Sequence, residues 1–269
     1  MSLFGWLFGK RRAAPQVASL SATEVLTKLK GAALPCLRLR AGDGGRSWLG
    51  GRPQMASPWP RFQGRPLSLV AQIDLAQARA AGGPNWLPSE GQLLFFYDLE
   101  TGGWGMEAEE AGSSVVIYEP RRAEVAPPPD DLPEDARFDQ RPLRFDLDVS
   151  MPDDPERLGL NLKDMSSTEF RRLEAELEAM APASPAHQIG GYPTPVQWDD
   201  MERTCERVAP REGRRPGAGV DEWRLLLQVD SDDDAGMMWC DVGQLYFWVR
   251  EVDARAGDFS RTWTILQSH

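Results

Sequence analysis

The chain has 269 residues, 41 of them acidic and 30 basic, for a formal net charge of -11. Such a surface repels phosphate backbones, so nucleic acid is excluded as an expected partner. The length admits one large β-rich domain or two ordinary ones, and ten Trp and ten Phe supply a core in which each buried ring removes roughly 150–250 Å² from water. Cys36, Cys205 and Cys240 are scattered, without the spacing of a disulfide framework or zinc knuckle, and fit a reducing cytoplasm.

Residues 1–18 read as a flexible N-terminal segment ahead of a single body over 19–269. Within it Leu3, Phe4, Trp6, Leu7 and Phe8 precede Lys10, Arg11 and Arg12. That order reverses a secretory signal, and residues 3–12 could instead lie in a bilayer interface. Ser21 followed by Glu24 is a capping-box signature and predicts a short helix ending near Gly31. Apolar runs at Leu67 to Ile73, Leu93 to Tyr97 and Ser113 to Tyr118 predict a strand meander. Pro127 to Pro133 should be an exposed connection. Ser166 and Glu169 form a second capping-box signature before Phe170, Leu173, Leu177 and Met180. This predicts a helix over about 164–181 with one apolar face on the sheet, stopped by Pro182. Ala209 to Gly219 reads as a surface loop.

A repeat organises the chain. Gly50-Gly51-Arg52-Pro53, Leu67 through Gln72-Ile73-Asp74, and Gly91-Gln92-Leu93-Leu94-Phe95-Phe96-Tyr97 recur in order. Their counterparts are Gly190-Gly191-Tyr192-Pro193, Trp223 through Gln228-Val229-Asp230, and Gly243-Gln244-Leu245-Tyr246-Phe247-Trp248-Val249. Two halves, about 45–125 and 185–269, follow. Two copies predict a closed body in which each half covers the other's apolar face. The fold class expected is α+β: β-rich, duplicated, with a few peripheral helices.

The same blocks, with Trp59-Pro60, His187-Gln188-Ile189 and Trp239-Cys240-Asp241-Val242-Gly243, resemble the bacterial YwqG-like family of unknown function over roughly residues 45–269. The resemblance implies a duplicated α+β fold and a cytoplasmic protein. It implies no established catalytic residues. Some members are thought to sit near polymorphic toxin systems, where an immunity role has been proposed. The family commonly has Gly where this chain has Cys240, which questions a positive φ there.

Several residues are candidates for chemistry. His187 beside Gln188 suits a general base, with Asp230 or Asp241 as partner in a cleft between the halves. Asp230, Asp232 and Asp234 could offer oxygen ligands to a hard cation, although the EF-hand positions are missing. Asp74 and Asp230, closing equivalent strands, could meet as a carboxylate pair. The alternative is that Gln and Asp at those ends cap loose main-chain groups. Cys240 among acids is expected to be buried and inert. The Gly-Gly-x-Pro turns are not P-loops, and no cofactor is expected. Trp48, Trp59, Trp86 and Trp104, all near Gly or Pro, are expected to be exposed and, with Tyr192, to anchor a partner. The expected function is a non-enzymatic protein- or peptide-binding module. The alternative is a hydrolase or other enzyme in the interlobe cleft.

Overall fold

A computed structural model describes residues 20–43, 45–163, 165–198, 200–211 and 219–269. The aromatic-basic segment at 3–12 and most of the loop after Ala209 lie outside them. In chain order the elements are α1 (Ala22–Gly31), β1 (Leu34–Ala41), β2 (Ser47–Leu49), β3 (Arg61–Phe62), β4 (Arg65–Pro66), β5 (Ser68–Asp74), α2 (Leu75–Ala80), β6 (Gln92–Tyr97) and β7 (Ser114–Glu119). They continue with β8 (Arg141–Ser150), α3 (Ser167–Met180), β9 (Gln188–Ile189), α4 (Met201–Val208), β10 (Trp223–Asp230), β11 (Gln244–Arg250), α5 (Glu251–Arg255) and β12 (Trp263–Gln267).

Ten strands form one antiparallel sheet in the order β12-β11-β10-β9-β1-β8-β2-β5-β6-β7, and β3 and β4 pair separately. Its two ends curl toward each other. At the seam Leu266 N–H donates to Trp104 C=O at 3.2 Å, and Trp263 Nε1–H donates to Gly105 C=O at 2.8 Å. The fold is α+β, as the repeat predicts.

The duplication reaches the register. A β-bulge lies between Leu69 and Ala71 in the β5–β6 ladder and between Leu225 and Leu227 in the β10–β11 ladder, the same place in both copies. Each ladder ends on an Asp opposite a Gln: Asp74 on Gln92, Asp230 on Gln244. A bulge bends its strand and raises its twist, so equal bulges give the halves equal curvature. Both central strands are buried along their whole length, which explains why β6 and β11 are apolar on both faces.

One face of each central strand builds the shared core. Leu93, Phe95 and Tyr97 meet Leu245, Phe247 and Val249, with the rings of Phe95 and Phe247 edge to face at 5.1 Å. The halves therefore meet at a shared apolar core, and the concavity left at their seam, lined by Val116 and Phe259 among others, includes none of His187, Asp230 and Asp241. The outer faces are covered separately. Leu94 and Phe96 lie under Met55, Trp59 and Phe62, while Tyr246 and Trp248 lie under Met201, Cys205 and Val208 of α4.

The helices follow their caps with one departure. Ser21 and Glu24 close the capping box of α1 in both directions. Ser166 Oγ accepts the Glu169 N–H at 3.3 Å, but the Glu169 carboxylate accepts the Ala22 N–H at 2.8 Å instead of returning to its own cap. That carboxylate faces the positive end of α1 and ties the two helices together. Accordingly α3 packs on α1 through Leu173 against Leu26 and Leu29, not on the sheet as its apolar stripe suggests, and Phe170 is exposed.

Candidate functional site

The strand-end polar residues form two matched networks. In both halves the Gly-Gly pair takes positive φ, +58° and +72° at Gly50 and Gly51, +70° and +71° at Gly190 and Gly191. Side chains rarely adopt that backbone, so the turn requires glycine. It folds the chain back so that the residue after Pro meets the Gln of Gln-x-Asp. Gln54 N–H donates to Gln72 Oε1 at 2.8 Å, and Thr194 N–H donates to Gln228 Oε1 at 2.9 Å.

His187 belongs to this network. Asp230 N–H donates to His187 Nδ1 at 3.1 Å, and Asp74 N–H donates to Ser47 Oγ at 2.9 Å. Ser47 and His187 each stand three residues before their Gly-Gly turn, so the imidazole fills the role of a serine hydroxyl in the other half. His187 Nε2 faces Asp232 Oδ2 at 3.1 Å, and Asp232 Oδ1 also caps the following 3-10 turn by accepting from Asp234 and Ala235. The hydrogen bond with His187 is the largest influence holding the Asp232 carboxyl below its ordinary range.

These partners decide the candidate chemistry. The Asp230 carboxylate accepts from Ser184 Oγ and Ala186 N–H, each at 2.8 Å. Asp74 accepts from Gln77 N–H at 2.7 Å and pairs with Arg122 at 2.6 Å. Asp74 and Asp230 thus serve separate networks instead of meeting as a carboxylate pair. His187 and Asp230 are buried, whereas Asp241 is exposed and its C=O accepts from His269 N–H. The geometry does not gather the three into an acid/base site. Asp230, Asp232 and Asp234 diverge as well, the last being exposed, and among the described residues no group of three or more such side chains is arranged to hold a metal ion.

Cys240 is exposed, not buried as expected, and it keeps a positive φ of 54° without being glycine. Burial pushes the thiols of Cys36 and Cys205 up. The tryptophans also sort differently from expectation. Trp48 is buried. Trp59 is half-buried, donating Nε1–H to Leu67 C=O at 2.8 Å with its ring edge to face with Phe96. Trp86 is half-buried against the shared core, and Trp104 alone of the four is exposed. Proximity to Gly or Pro places a residue in a turn; the depth to which its ring reaches depends on the sheet beneath.

Tyr192 is different. It lines a concavity of about 770 Å³ beside the second half. Buried Trp223 and Trp248 contribute to its floor, and Arg157, Arg203 and Arg224 to its charged rim. The rim is organised by ion pairs: Arg157 holds Glu202 through two bonds of 2.9 and 2.6 Å, and Arg224 holds Glu251 at 2.9 Å. Sequence reading assigned a binding role to Tyr192 alone among the lining residues, because the others come from strands, α4, the second Gly-Gly turn and two 3-10 turns far apart in the chain. None of His187, Asp230 and Asp241 lines it.

Fold and networks together define an internally duplicated antiparallel-sheet protein. The chain matches the family described as Domain of unknown function (DUF1963) over residues 47–268, and it belongs to that family. The YwqG-like resemblance is consistent with this membership. A comparison with curated proteins finds no match. No helix among the described residues is long and apolar enough to cross a membrane.

Proposed function

We propose that the protein is a non-enzymatic binding module for a protein or peptide, received in the concavity at Tyr192. The supporting observation is its composition: an aromatic floor under a rim of both charges, the arrangement of an interface with a desolvated centre and polar border. Its volume takes one or two large side chains of a partner. The enzyme reading built on His187 is the less favoured one: its Nδ1 accepts from the Asp230 N–H, its Nε2 faces Asp232, and the Asp230 carboxylate accepts from Ser184 Oγ and Ala186 N–H. An immunity role would make the partner a toxin domain.

The test is selection from a displayed peptide library on immobilised protein, with counter-selection on Tyr192→Ala. Enriched peptides should bind wild type and lose at least about tenfold in affinity on the variant, the scale of one good aromatic anchor. Failure to enrich any sequence, or enrichment indifferent to Tyr192→Ala, would overturn the assignment.

A further inference from the structure

Helix α4 ties down its two acids and leaves its two bases free. Met201, Thr204, Cys205 and Val208 are its buried residues, and the remaining inner positions form two i, i+4 pairs, Glu202 with Glu206 and Arg203 with Arg207. Glu202 is held by Arg157 through bonds of 2.9 and 2.6 Å. Glu206 accepts from Trp223 Nε1–H at 3.2 Å and pairs with Arg250 at 3.4 Å. Among the described residues the side chains of Arg203 and Arg207 have neither a hydrogen bond nor an ion pair.

These two arginines line a shallow concavity of about 430 Å³ together with Met106, Trp198, Asp200 and Thr204. It adjoins the Tyr192 concavity, with which it shares Asp200 and Arg203. Thr204 is 6% exposed, and its hydroxyl has no hydrogen-bond partner among the described residues. A buried hydroxyl left in that state is costly, and an acceptor brought by a partner removes the cost. Three donors thus line one surface against a single carboxylate, exposed Asp200, which neither arginine engages. The other rim carboxylates, Asp154, Glu156, Glu202 and Asp221, line the Tyr192 concavity but not this one.

We infer that this surface is a carboxylate subsite for the partner of the Tyr192 concavity. The segment seated at Tyr192 continues over Arg203 and places an Asp or Glu between Arg203 and Arg207, with the Thr204 hydroxyl donating to it. The inference rests on the binding role proposed for that concavity and adds the chemistry of the partner. Guanidinium groups hold carboxylates through paired, charge-assisted hydrogen bonds, whereas a basic residue here would meet two like charges. The net charge of -11 disfavours an acidic partner at a distance, so selection at this spot comes from contact and not from steering.

The peptide selection on wild type is repeated on R203Q/R207Q and R203E/R207E. Wild type should enrich sequences with an Asp or Glu at a fixed distance from the residue that needs Tyr192. A synthetic enriched peptide should lose at least about tenfold in affinity when that acid is replaced by its amide. The same loss should follow on R203Q/R207Q, without adding when both changes are combined. Selection on R203E/R207E should turn to Lys or Arg, a reversal that no structural role of the arginines produces. Peptides that depend on Tyr192 but show no preference for acids, or bind R203Q/R207Q equally well, would overturn the subsite and leave the role of the concavity standing. Peptides that need the arginines but not Tyr192 would overturn the shared occupant. No enrichment at all would overturn the binding role, and the subsite with it. Both arginines are exposed, so thermal melts should stay in place; if a variant unfolds, the acid-to-amide comparison on wild type decides.

Discussion

Glu119 and Gln267 hold the same place in the two halves: each side chain accepts two consecutive main-chain N–H groups from the loop after its Gly-Gly turn. Glu119 Oε1 takes Ala56 at 3.1 Å and Ser57 at 2.8 Å; Gln267 Oε1 takes Val196 at 2.9 Å and Gln197 at 3.1 Å. Each residue faces the Gln that closes its ladder, Gln92 or Gln244. An amide therefore performs in one half what a carboxylate performs in the other, and the role is acceptance of hydrogen bonds, not charge.

Glu119→Gln should accordingly be tolerated within about 1 kcal/mol. Glu119→Ala should cost about 1–2 kcal/mol, since two part-buried main-chain donors lose an ionised acceptor but can turn to water. Denaturant unfolding of the two variants checks this through a midpoint shift at constant slope. Equal destabilisation by Gln and Ala would refute the equivalence.

The pairing of Ser47 with His187 makes a parallel case. His187→Ala leaves the buried Asp230 N–H without its acceptor and should cost about 1–3 kcal/mol. His187→Asn, which can present an amide oxygen near the position of Nδ1, should recover part of that loss. Chemical denaturation distinguishes the variants, and an Asn variant no better than Ala would contradict the structural role.

Asp232 gives a pH dependence with a definite sign. Its carboxyl is held low first by the hydrogen bond with His187, with the His187 charge and two main-chain donors adding and burial opposing. A carboxyl depressed on folding contributes stability above its unfolded value of about 4 and loses it as pH falls through the lower folded value. The stability gap between wild type and Asp232→Asn should be full near neutrality and close progressively in acid below pH about 4. A gap that widens in acid would reverse the assignment.

Cys240 occupies left-handed backbone at φ 54°. Such backbone costs a non-glycine residue roughly 1–2 kcal/mol, while glycine adds unfolded-state entropy of roughly 0.5–1 kcal/mol. Cys240→Gly should therefore stabilise by about 0.5–1 kcal/mol, read as a raised melting temperature. A lowered one would mean that the thiol makes a contact outweighing the strain.

Much of this architecture is legible in the sequence for a physical reason. β5, β6, β7, β10 and β11 are rich in β-branched, aromatic and leucine residues, and the glycine pairs and Gln-x-Asp ends mark the duplication. β2 and β9 are too short to show a period, and β1 and β8 interleave Arg and Asp with apolar residues, which conceals their place in mid-sheet. The roles of His187 and Glu119 were hidden because the halves keep the geometry while changing the residue: Ser for His, Gln for Glu. The concavity at Tyr192 escaped because Trp223 and Trp248 read as core residues, which they also are.

The central claim is that the protein works by holding a partner at the Tyr192 concavity. The most direct measurement places a photoreactive phenylalanine analogue at position 192, and separately at exposed Phe170 as control, and irradiates the native host. A discrete protein adduct at 192 and none at 170 is the predicted result. Equal labelling at both positions, or none at 192 while the folded protein is present, would contradict it.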